Sequence, residues 1–380
     1  MKIYLDNAAT TPLDKEVLQA MLPVLEEDFG NPSSIHAFGR KTRSAIENAR
    51  KTVARLLNAT PSEIFFTSGG TEADNMALLQ TIESYGISYV ISSEIEHHAV
   101  EHTLKELEKK GKIKVSWLKP DARGNMDLNE LEGYLKSGSR SLVSLMHANN
   151  ELGTLLPIEK VGALCEQYGA IFHSDTVQTM GHYRMDLQAM KAHFVTCAAH
   201  KFHGPKGVGF LYINRAVKVA PFIHGGSQER NMRGGTENVA GIVGLAKALE
   251  ICYRDLDAHQ KHIQALKDHM RESLIASIPG MEFNGETEAG KSLYTVLNCR
   301  FPKHQDAEML LFNLDISGIA ASGGSACSSG SEQGSHVLKG IGADMTRPSV
   351  RFSFSKFNTM EEVDLVVKKL VELFRVKEKV

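Results

Sequence analysis

Short apolar runs alternate with helical stretches along the first half of the chain, and this alternation constrains its fold more than any other feature. The runs are rich in β-branched and aromatic residues: EIFFTS, SYVISS, SLVSLMHA, AIFHSD and HFVTCAA. Between them, helical patterns cover 73–84, 98–110 and 158–168. Strands that alternate with helices in this way build a largely parallel sheet with helices on both faces. The sequence therefore predicts an α/β fold.

A long, continuously helical segment at 239–278 follows the alternating part of the chain. It is too long for one ordinary helix, so we interpret it as a connector between two domains. Mixed strand and helix patterns come after it, including SVRFSFS and a final amphipathic helix from about Met360. We predict a large α/β domain at 16–250 and a smaller α+β domain formed by 1–15 and 251–380.

The charge and hydropathy of the chain exclude several classes of partner. A net charge of -2 and a 23% content of charged residues give no reason to expect binding to nucleic acid or to an anionic membrane. No apolar run approaches the roughly 18 residues of a membrane-spanning helix. The N-terminal sequence MKIYLDNAATTP is not typical of a signal peptide, because Asp6 and Asn7 interrupt any apolar stretch. We expect no nucleic-acid partner and no membrane association.

The five cysteines are scattered, and one differs from the rest in its surroundings. Cys165, Cys197, Cys252 and Cys299 lie in apolar contexts, where we expect them to be core residues. Cys327 lies in ASGGSACSSGS, among glycines and serines, which favours an exposed thiol on a mobile loop. An odd set without a C-x-x-C pair argues against a disulfide framework and for a cytoplasmic protein.

A glycine turn follows the first apolar run, in FFTSGGTEADN. The pattern predicts a strand, a turn and a helix that begins near Thr71. Gly69 and Gly70 allow backbone N–H groups to converge, and a helix N-terminus carries about half a positive charge, so the turn suits a phosphate. The alternative is a plain tight turn with Thr71 as the helix N-cap. No Walker lysine follows, which argues against a nucleoside triphosphate.

Two later apolar runs end in polar side chains. AIFHSDTVQ places Asp175 at a strand end, with Gln178 three residues further on. A carboxylate there could hold a protonated heterocyclic nitrogen, although helix capping is the alternative. CAAHKFHGPKGVG places Lys201 between His200 and His203. A lysine near other cations can have a lowered pKa and form a Schiff base, whereas the alternative is a solvated surface lysine.

These three features together indicate one cofactor. Ligands of open α/β sheets collect at the carboxyl ends of the strands, where the glycine turn, Asp175 and Lys201 are expected to meet. Each matches a different part of pyridoxal phosphate: the phosphate, the pyridinium nitrogen and the group that forms a Schiff base. The sequence therefore predicts pyridoxal 5'-phosphate as the cofactor.

The histidines of SSEIEHHAVEH allow two interpretations. His98 and His102 share a helix face and could form a metal-binding pair, but no third ligand has a recognisable spacing, so we expect no resident metal ion. His97 lies at the junction of a strand and a helix. A flat ring stacked on the cofactor is the favoured interpretation of His97, and a surface histidine that caps the helix is the alternative.

A series of sequence blocks resembles one known family. The order found here resembles that of cysteine desulfurases of the NifS/IscS group over essentially the whole chain. The resemblance implies the aminotransferase-like fold (type I) of pyridoxal-phosphate enzymes, a homodimer, and L-cysteine as the substrate. It further implies that L-alanine is released while the sulfur is carried as a cysteine persulfide. The blocks are LDNAATTP, GNPSSIH, TSGGTEADN, EHHAV, HANNELGT, HSDTVQ, AHKFHGPKG, RGGTEN, SGGSACSSGS and RFSFSKF.

The resemblance also implies roles for individual residues. Lys201 would be the Schiff-base lysine, His97 the stacking and proton-handling ring, and Cys327 the nucleophile that receives the sulfur. Asp175 would contact the pyridinium nitrogen. The other implied contacts are Gln178 with the ring hydroxyl; Gly70, Thr71, His200 and Thr236 of the partner subunit with the phosphate; Asn150 with cofactor and substrate; and Arg351 with the substrate carboxylate, which suits a guanidinium fork.

The chain departs from the family pattern at one cofactor position, Ala198. The family commonly has a serine there, two residues before the histidine of the His-Lys pair, and the serine bonds the phosphate. One hydroxyl contact with the phosphate is therefore missing in this chain.

The position of Cys327 in the sequence indicates how the sulfur would reach a partner protein. The long interval between Cys327 and Arg351 resembles the branch whose mobile loop delivers sulfur to an acceptor or scaffold protein, for iron–sulfur clusters or other sulfur-containing cofactors. Cys327 is also a candidate transient ligand of an iron–sulfur cluster.

The alternative function of a related lyase, such as a selenocysteine lyase, stays open because that enzyme would share Lys201. A non-catalytic assembly scaffold is disfavoured, because it would need neither Lys201 nor His97.

Overall fold

The computed structural model describes residues 2–304, 309–324 and 334–374. The apolar runs predicted as strands correspond to the second, third, fifth, sixth and seventh strands, whereas the pattern does not predict the fourth or the eighth. In chain order the strands are β1 (Ile3–Tyr4), β2 (Ile64–Thr67), β3 (Tyr89–Ser93), β4 (Lys114–Leu118), β5 (Ser141–Ser144), β6 (Ile171–Asp175), β7 (Phe194–Ala198), β8 (Gly209–Ile213), β9 (Glu282–Asn284), β10 (Val296–Arg300), β11 (Ile319–Ala320) and β12 (Ser349–Ser353).

The main sheet has seven of these described strands, in the order β2-β8-β7-β6-β5-β3-β4. All neighbouring pairs from β7 to β4 are parallel, and β8 alone in this sheet is antiparallel to both of its neighbours, β2 and β7. The predicted, largely parallel sheet is confirmed. Because β3, β5, β6 and β7 run in one direction, their carboxyl ends meet at one edge, which is where open α/β sheets place their ligands.

Helices cover the main sheet and connect it to the rest of the chain. The predicted connector is two helices, because the seventh helix ends with Asp255 as its C-cap and the eighth begins immediately afterwards. In chain order the helices are α1 (Lys15–Glu26), α2 (Ala37–Leu56), α3 (Gly70–Tyr85), α4 (His98–Lys109), α5 (Leu128–Leu135), α6 (Ile158–Gln167), α7 (Val239–Arg254), α8 (Leu256–Ser277), α9 (Leu310–Ile316), α10 (His336–Gly340) and α11 (Met360–Phe374).

The start of α3 differs from one of the two sequence interpretations. Gly69 is the N-cap, and Gly70 is the first helical residue. Thr71 therefore lies inside the first turn, and the alternative in which Thr71 caps this helix is wrong. A glycine N-cap has no side chain to accept hydrogen bonds from the first-turn N–H groups, so these groups stay available to a ligand.

A smaller antiparallel sheet, β12-β10-β9, forms the second part of the molecule, and β1 pairs with β11 in parallel beside it. Helices α8 and α11 pack against each other here. The apolar positions of α11 recur at helical spacing, so one face of the helix is buried. That face consists of Val363, Val366, Val367 and Leu370.

Separate apolar clusters stabilise the two parts of the fold. Around the main sheet, one large cluster includes side chains from Val17 to Tyr253. Around the small sheet, another joins Ile3 and Leu5 to apolar side chains from Ile263 onwards. The N-terminal strand thus belongs to the second core. The predicted domain limits at 16–250, 1–15 and 251–380 stay a prediction.

The cysteines that the structure describes are all free and buried: Cys165, Cys197, Cys252 and Cys299. Burial raises the pKa of Cys165 and of Cys252 to about 12, so neither thiol is a nucleophile near neutral pH. Cys327 lies outside the described residues. Within the described part of the chain, no helix has both the length and the apolar character needed to cross a membrane.

Candidate active site

One cavity of about 250 Å³ opens at the carboxyl ends of the parallel strands. It brings together residues from elements that are far apart in the sequence, including the loop before α1 and strand β12. Most of the residues singled out in the sequence line it: Gly70, Thr71, His97, Asn150, Asp175, Gln178, Ala198, His200, Lys201 and Arg351. The roles assigned to them stay predictions.

Two of the candidate residues are not among those that line the cavity. Thr236 is exposed, in the segment just before α7. Its predicted contact was with the cofactor of the other subunit, so exposure in a single chain leaves that prediction untested. Cys327, the candidate nucleophile and transient cluster ligand, falls in the segment outside the described residues.

The start of α3 forms one end of the cavity. The first N–H groups of a helix have no partner inside the helix and carry partial positive charge, so they suit an anion. A side chain on Gly70 would not fit, because an added Cβ would lie 2.9 Å from Cγ2 of Val177. His200 lies at the same end, and its Nδ1 is 3.1 Å from Oγ1 of Thr10. Burial lowers the pKa of His200 to about 4, so the ring acts as a neutral hydrogen-bonding group.

Lys201 reaches the cavity from a 3₁₀ turn that follows β7 directly. Its Nζ donates hydrogen bonds to the backbone carbonyls of Ala8 and Ala9, at 2.5 Å and 2.9 Å. Gln178 donates to the same Ala8 carbonyl at 3.1 Å. The N-terminal loop therefore orients an amine and an amide on one wall of the cavity.

Asp175 ends β6 and is buried at the bottom of the cavity. Its Oδ1 accepts a hydrogen bond from the N–H of Val177 at 2.8 Å, but no helix lies between β6 and β7 in the described chain, so the helix-capping alternative is wrong. Burial, and then the nearby charge of Asp74, raise the pKa of Asp175 to about 7. A cationic group against this carboxyl would favour its ionised form. The site thus suits a protonated ring nitrogen.

Asp74 lies beside Asp175 and was not predicted from the sequence. It is 1% exposed, and burial raises its pKa to about 7. Ligand atoms of Asp74, Asp175 and His97 all lie within 4.8 Å of one another. Two buried carboxyl groups this close cannot both ionise easily, so one proton is favoured on the pair. Asp74 is four residues after Gly70 and shares its helix face, which is the signal that could have identified it.

His97 caps α4 and also lines the cavity, whereas its stacking on a cofactor stays a prediction. As the N-cap of α4, its Nδ1 accepts a hydrogen bond from the N–H of Ala99 at 3.1 Å, and the residue also lines the cavity. Burial, and then the positive charge of Lys201, lower the pKa of His97 to about 4. The neutral ring accepts at Nδ1, so it carries its proton at Nε2.

Arg351 projects from β12 and is 1% exposed. Its Nη1 donates to the backbone carbonyl of Asn150 at 2.8 Å, and its Nη2 donates to Oδ1 of Asp6 at 2.9 Å. Its buried Nε has no hydrogen-bond partner among the described residues. Two fixed contacts orient the guanidinium at the cavity. Asp6 belongs to the LDNAATTP block, one of the blocks that resemble the family. The sequence analysis predicted no role for Asp6.

The sequence matches the aminotransferase class-V family over residues 3–366. A cysteine desulfurase IscS of Dictyoglomus turgidum is 42% identical over 381 aligned residues, which cover 98% of this chain and 95% of that protein. A solved NifS-like protein has a TM-score of 0.91 at 38% identity and covers 98% of this chain and 99% of its own. A structure of SspA in complex with cysteine has a TM-score of 0.81 at 32% identity and covers 94% of this chain and 100% of its own. The likenesses extend over both cores of the fold.

Proposed function

Because the chain belongs to the aminotransferase class-V family, and its relatives include cysteine desulfurases, we propose that it is a cysteine desulfurase. It converts L-cysteine to L-alanine and passes the sulfur on as a persulfide of Cys327. Its fold is the predicted aminotransferase-like fold, which the NifS-like structures confirm. The observation that carries the proposal is the cavity in which Lys201, Asp175 and the start of α3 meet.

The residues around the cavity fit pyridoxal phosphate. Gly70 lets the start of α3 pack closely on Val177, since an added Cβ would lie 2.9 Å from Cγ2 of Val177. The first turn of α3 lines the cavity, and its N–H groups suit a phosphate. The buried carboxyl of Asp175 suits the ring nitrogen, and the amine of Lys201 suits a covalent bond to the aldehyde. When bound, the cofactor would supply an electron sink for bond breaking at the substrate.

The other predicted residues that line the cavity have expected roles in this proposed site. His97 would lie against the ring, and Gln178 would donate to the ring hydroxyl. Thr71 and His200 would contact the phosphate. Ala198 faces the cavity without a hydroxyl, so it would add no hydrogen bond there.

The chain's own groups then bind the substrate and move protons. Arg351 and Asn150 would hold the substrate carboxylate, since a guanidinium donates strongly to carboxylates. Lys201 Nζ, held by the Ala8 and Ala9 carbonyls, would move a proton at the substrate carbon. His97, whose neutral ring carries a proton at Nε2, would donate a hydrogen bond from that atom and would deliver a proton to a reacting group only from its protonated form.

The sulfur transfer balances without an external oxidant or reductant. The thiolate of Cys327 attacks the substrate sulfur, and a new S–S bond forms as the carbon–sulfur bond breaks. The bonding electron pair stays with the carbon, which takes up a proton to become L-alanine. Cys327 becomes a persulfide, and an acceptor or scaffold protein would take the sulfur from it.

We propose a cytoplasmic location for this reaction, because the described cysteines are free and show no disulfide.

Cys327→Ser is expected to keep the cofactor and bind cysteine, yet to release no sulfide and form no alanine. Serine lacks the thiol that receives the sulfur of the substrate. Nothing in the proposal links Cys327 to cofactor binding. The measurement is alanine and sulfide production with a thiol reductant present, together with the absorption spectrum of the bound cofactor. Cys165→Ala is the matched control, because its buried thiol has a pKa of about 12 and should leave turnover intact. Full turnover in Cys327→Ser would contradict the proposal.

We also propose that the enzyme is a homodimer in which Thr236 contacts the phosphate of the neighbouring site. The support is the exposure of Thr236 outside its own chain's cavity, together with the family resemblance. Thr236→Ala should weaken the binding of the cofactor by about 0.5–1.5 kcal/mol, the value of one hydrogen bond. The variant should therefore lose the cofactor faster on dialysis. Thr236→Ser keeps the hydroxyl and should behave as the wild type. Sedimentation that finds an active monomer, or equal cofactor loss from both variants, would refute this arrangement.

A further inference from the structure

Three side chains on one face of α4 form a compact cluster beside the active-site cavity. The cluster, here named the α4 triad, consists of His98, Glu101 and His102, and its ligand atoms all lie within 4.8 Å of one another. The sequence favoured no metal ion because the histidine pair had no third ligand. The fold supplies one, because residues at spacings of three and four lie on the same helix face.

Two distances within the triad are close to those between ligands of one metal ion. Nδ1 of His98 is 3.5 Å from Oε2 of Glu101, and Nε2 of His102 is 3.2 Å from the same oxygen. Ligand atoms about 2.0–2.2 Å from a tetrahedral zinc ion are themselves about 3.3–3.5 Å apart. Two imidazoles and a carboxylate are also a common ligand set for zinc.

We propose that the α4 triad binds a divalent transition metal ion of the zinc type, outside the centre that converts cysteine. With three protein ligands, such a site keeps one coordination position open for water or another exchangeable ligand. The other carboxylate-histidine group of the described residues, Asp74 with His97 and Asp175, lines the cofactor cavity and belongs to the site already described.

The charges and exposure around the triad favour this use. The carboxylate of Glu101 has Lys105 and both histidines of the triad as its neighbours. Lys105 pairs with Oε1, which leaves Oε2 directed at both imidazoles. The side chain of His102 is 68% exposed, whereas that of Glu101 is 5% exposed. An ion can therefore enter from solvent and meet a largely buried anionic ligand.

His336 supports the triad from α10, the helix that follows the segment containing Cys327. Its ring packs on His98 with the centroids 4.4 Å apart. Its Nε2 is 3.0 Å from the carbonyl oxygen of Glu96, whereas its buried Nδ1 has no hydrogen-bond partner among the described residues. This packing contact restricts the orientations of the His98 ring and joins the proposed metal site to α10.

The test is zinc binding by the holoenzyme, measured against a chromophoric zinc chelator. Because thiolates also bind zinc, the measurement uses the Cys327→Ser holoenzyme after removal of metal ions. We expect one zinc ion per chain. His102→Ala and Glu101→Gln should each weaken the affinity by at least about tenfold, since each removes one of three ligands. His269→Ala is the matched control, because this half-buried histidine pairs with Asp364 on another helix.

Cobalt(II) provides a second measurement that does not depend on activity. Bound at the α4 triad, it should give visible absorption bands of a low-coordinate site, and these bands should disappear in His102→Ala and remain in His269→Ala. Equal zinc affinity in the triad variants and the control would overturn the proposal, as would a parent holoenzyme that binds no zinc. Neither result would bear on cysteine desulfuration, because the proposed reaction uses none of the three ligands.

Discussion

Lys201→Ala is expected to abolish alanine formation and to leave a protein that binds pyridoxal phosphate only reversibly. Removing the amine removes both the covalent bond to the cofactor and the group proposed to move a proton at the substrate carbon. A positioned proton-transfer group alone contributes about 10²–10⁴-fold to a rate, so turnover should fall by at least that factor. Alanine production and cofactor retention on dialysis measure the two effects.

A chemical experiment identifies the lysine directly. Borohydride should fix the cofactor to a single peptide of the wild-type protein, and that peptide should contain Lys201. Lys160→Ala is the matched control, because Lys160 is an exposed lysine on α6 and should retain full activity and labelling. Labelling of a different lysine, or normal turnover in Lys201→Ala, would show that the assignment is wrong.

The part of the fold that the sequence predicts is the repeated alternation of buried strands with helices. Runs such as FVTCAA are largely apolar along their whole length because parallel strands are buried on both faces, so β7 could be identified from its composition. KVSWL, which forms β4, begins with an exposed lysine and has a half-buried serine and tryptophan at its third and fourth positions, so its apolar signal is weaker. The run FLYI of β8 is apolar, but it follows the glycine-rich stretch GPKGVG, which indicates a turn. Pairing with neighbouring strands makes both sequences strands.

The predictable part of the site is the part carried by short motifs. A glycine turn, a strand-end carboxylate and a strand-end lysine each indicate their chemistry locally, so Gly70, Asp175 and Lys201 could be chosen from the sequence. The contacts of Asp6 and of the Ala8 and Ala9 carbonyls depend on a loop that returns from the small core to the main sheet. No local pattern encodes that return. Glu101 was missed for a different reason, because its use as a ligand depends on the rotamers of two histidines on the same helix.

The buried guanidinium of Arg351 should control how well the enzyme binds cysteine. Its fork is oriented by the Asn150 carbonyl and by Asp6, and its Nε has no partner among the described residues. A buried donor without a partner is costly, and a substrate carboxylate near the fork would relieve that cost. We therefore expect Arg351 to contribute through the affinity for the substrate carboxylate, with a smaller effect on the chemical step.

Arg351→Gln should raise the KM for cysteine by the value of a charge-assisted hydrogen bond, about 1.5–3 kcal/mol, or roughly ten- to 150-fold. Arg351→Lys keeps the charge but loses the fork, so it should fall between the wild type and Arg351→Gln. Because Asp6 also accepts from Ser322, it keeps one partner in both variants. Thermal unfolding and cofactor content show whether each variant is folded and loaded.

Cysteamine, which is cysteine without the carboxylate, separates substrate binding from a structural role. If Arg351 binds the carboxylate, the wild type should prefer cysteine over cysteamine, and Arg351→Gln should lose most of that preference. If Arg351 only stabilises the contact between β12 and the N-terminal loop, both ligands should weaken equally and the cofactor content should fall. An unchanged preference for cysteine in a fully loaded Arg351→Gln enzyme would remove Arg351 from substrate recognition, because no other effect of the substitution distinguishes the two ligands.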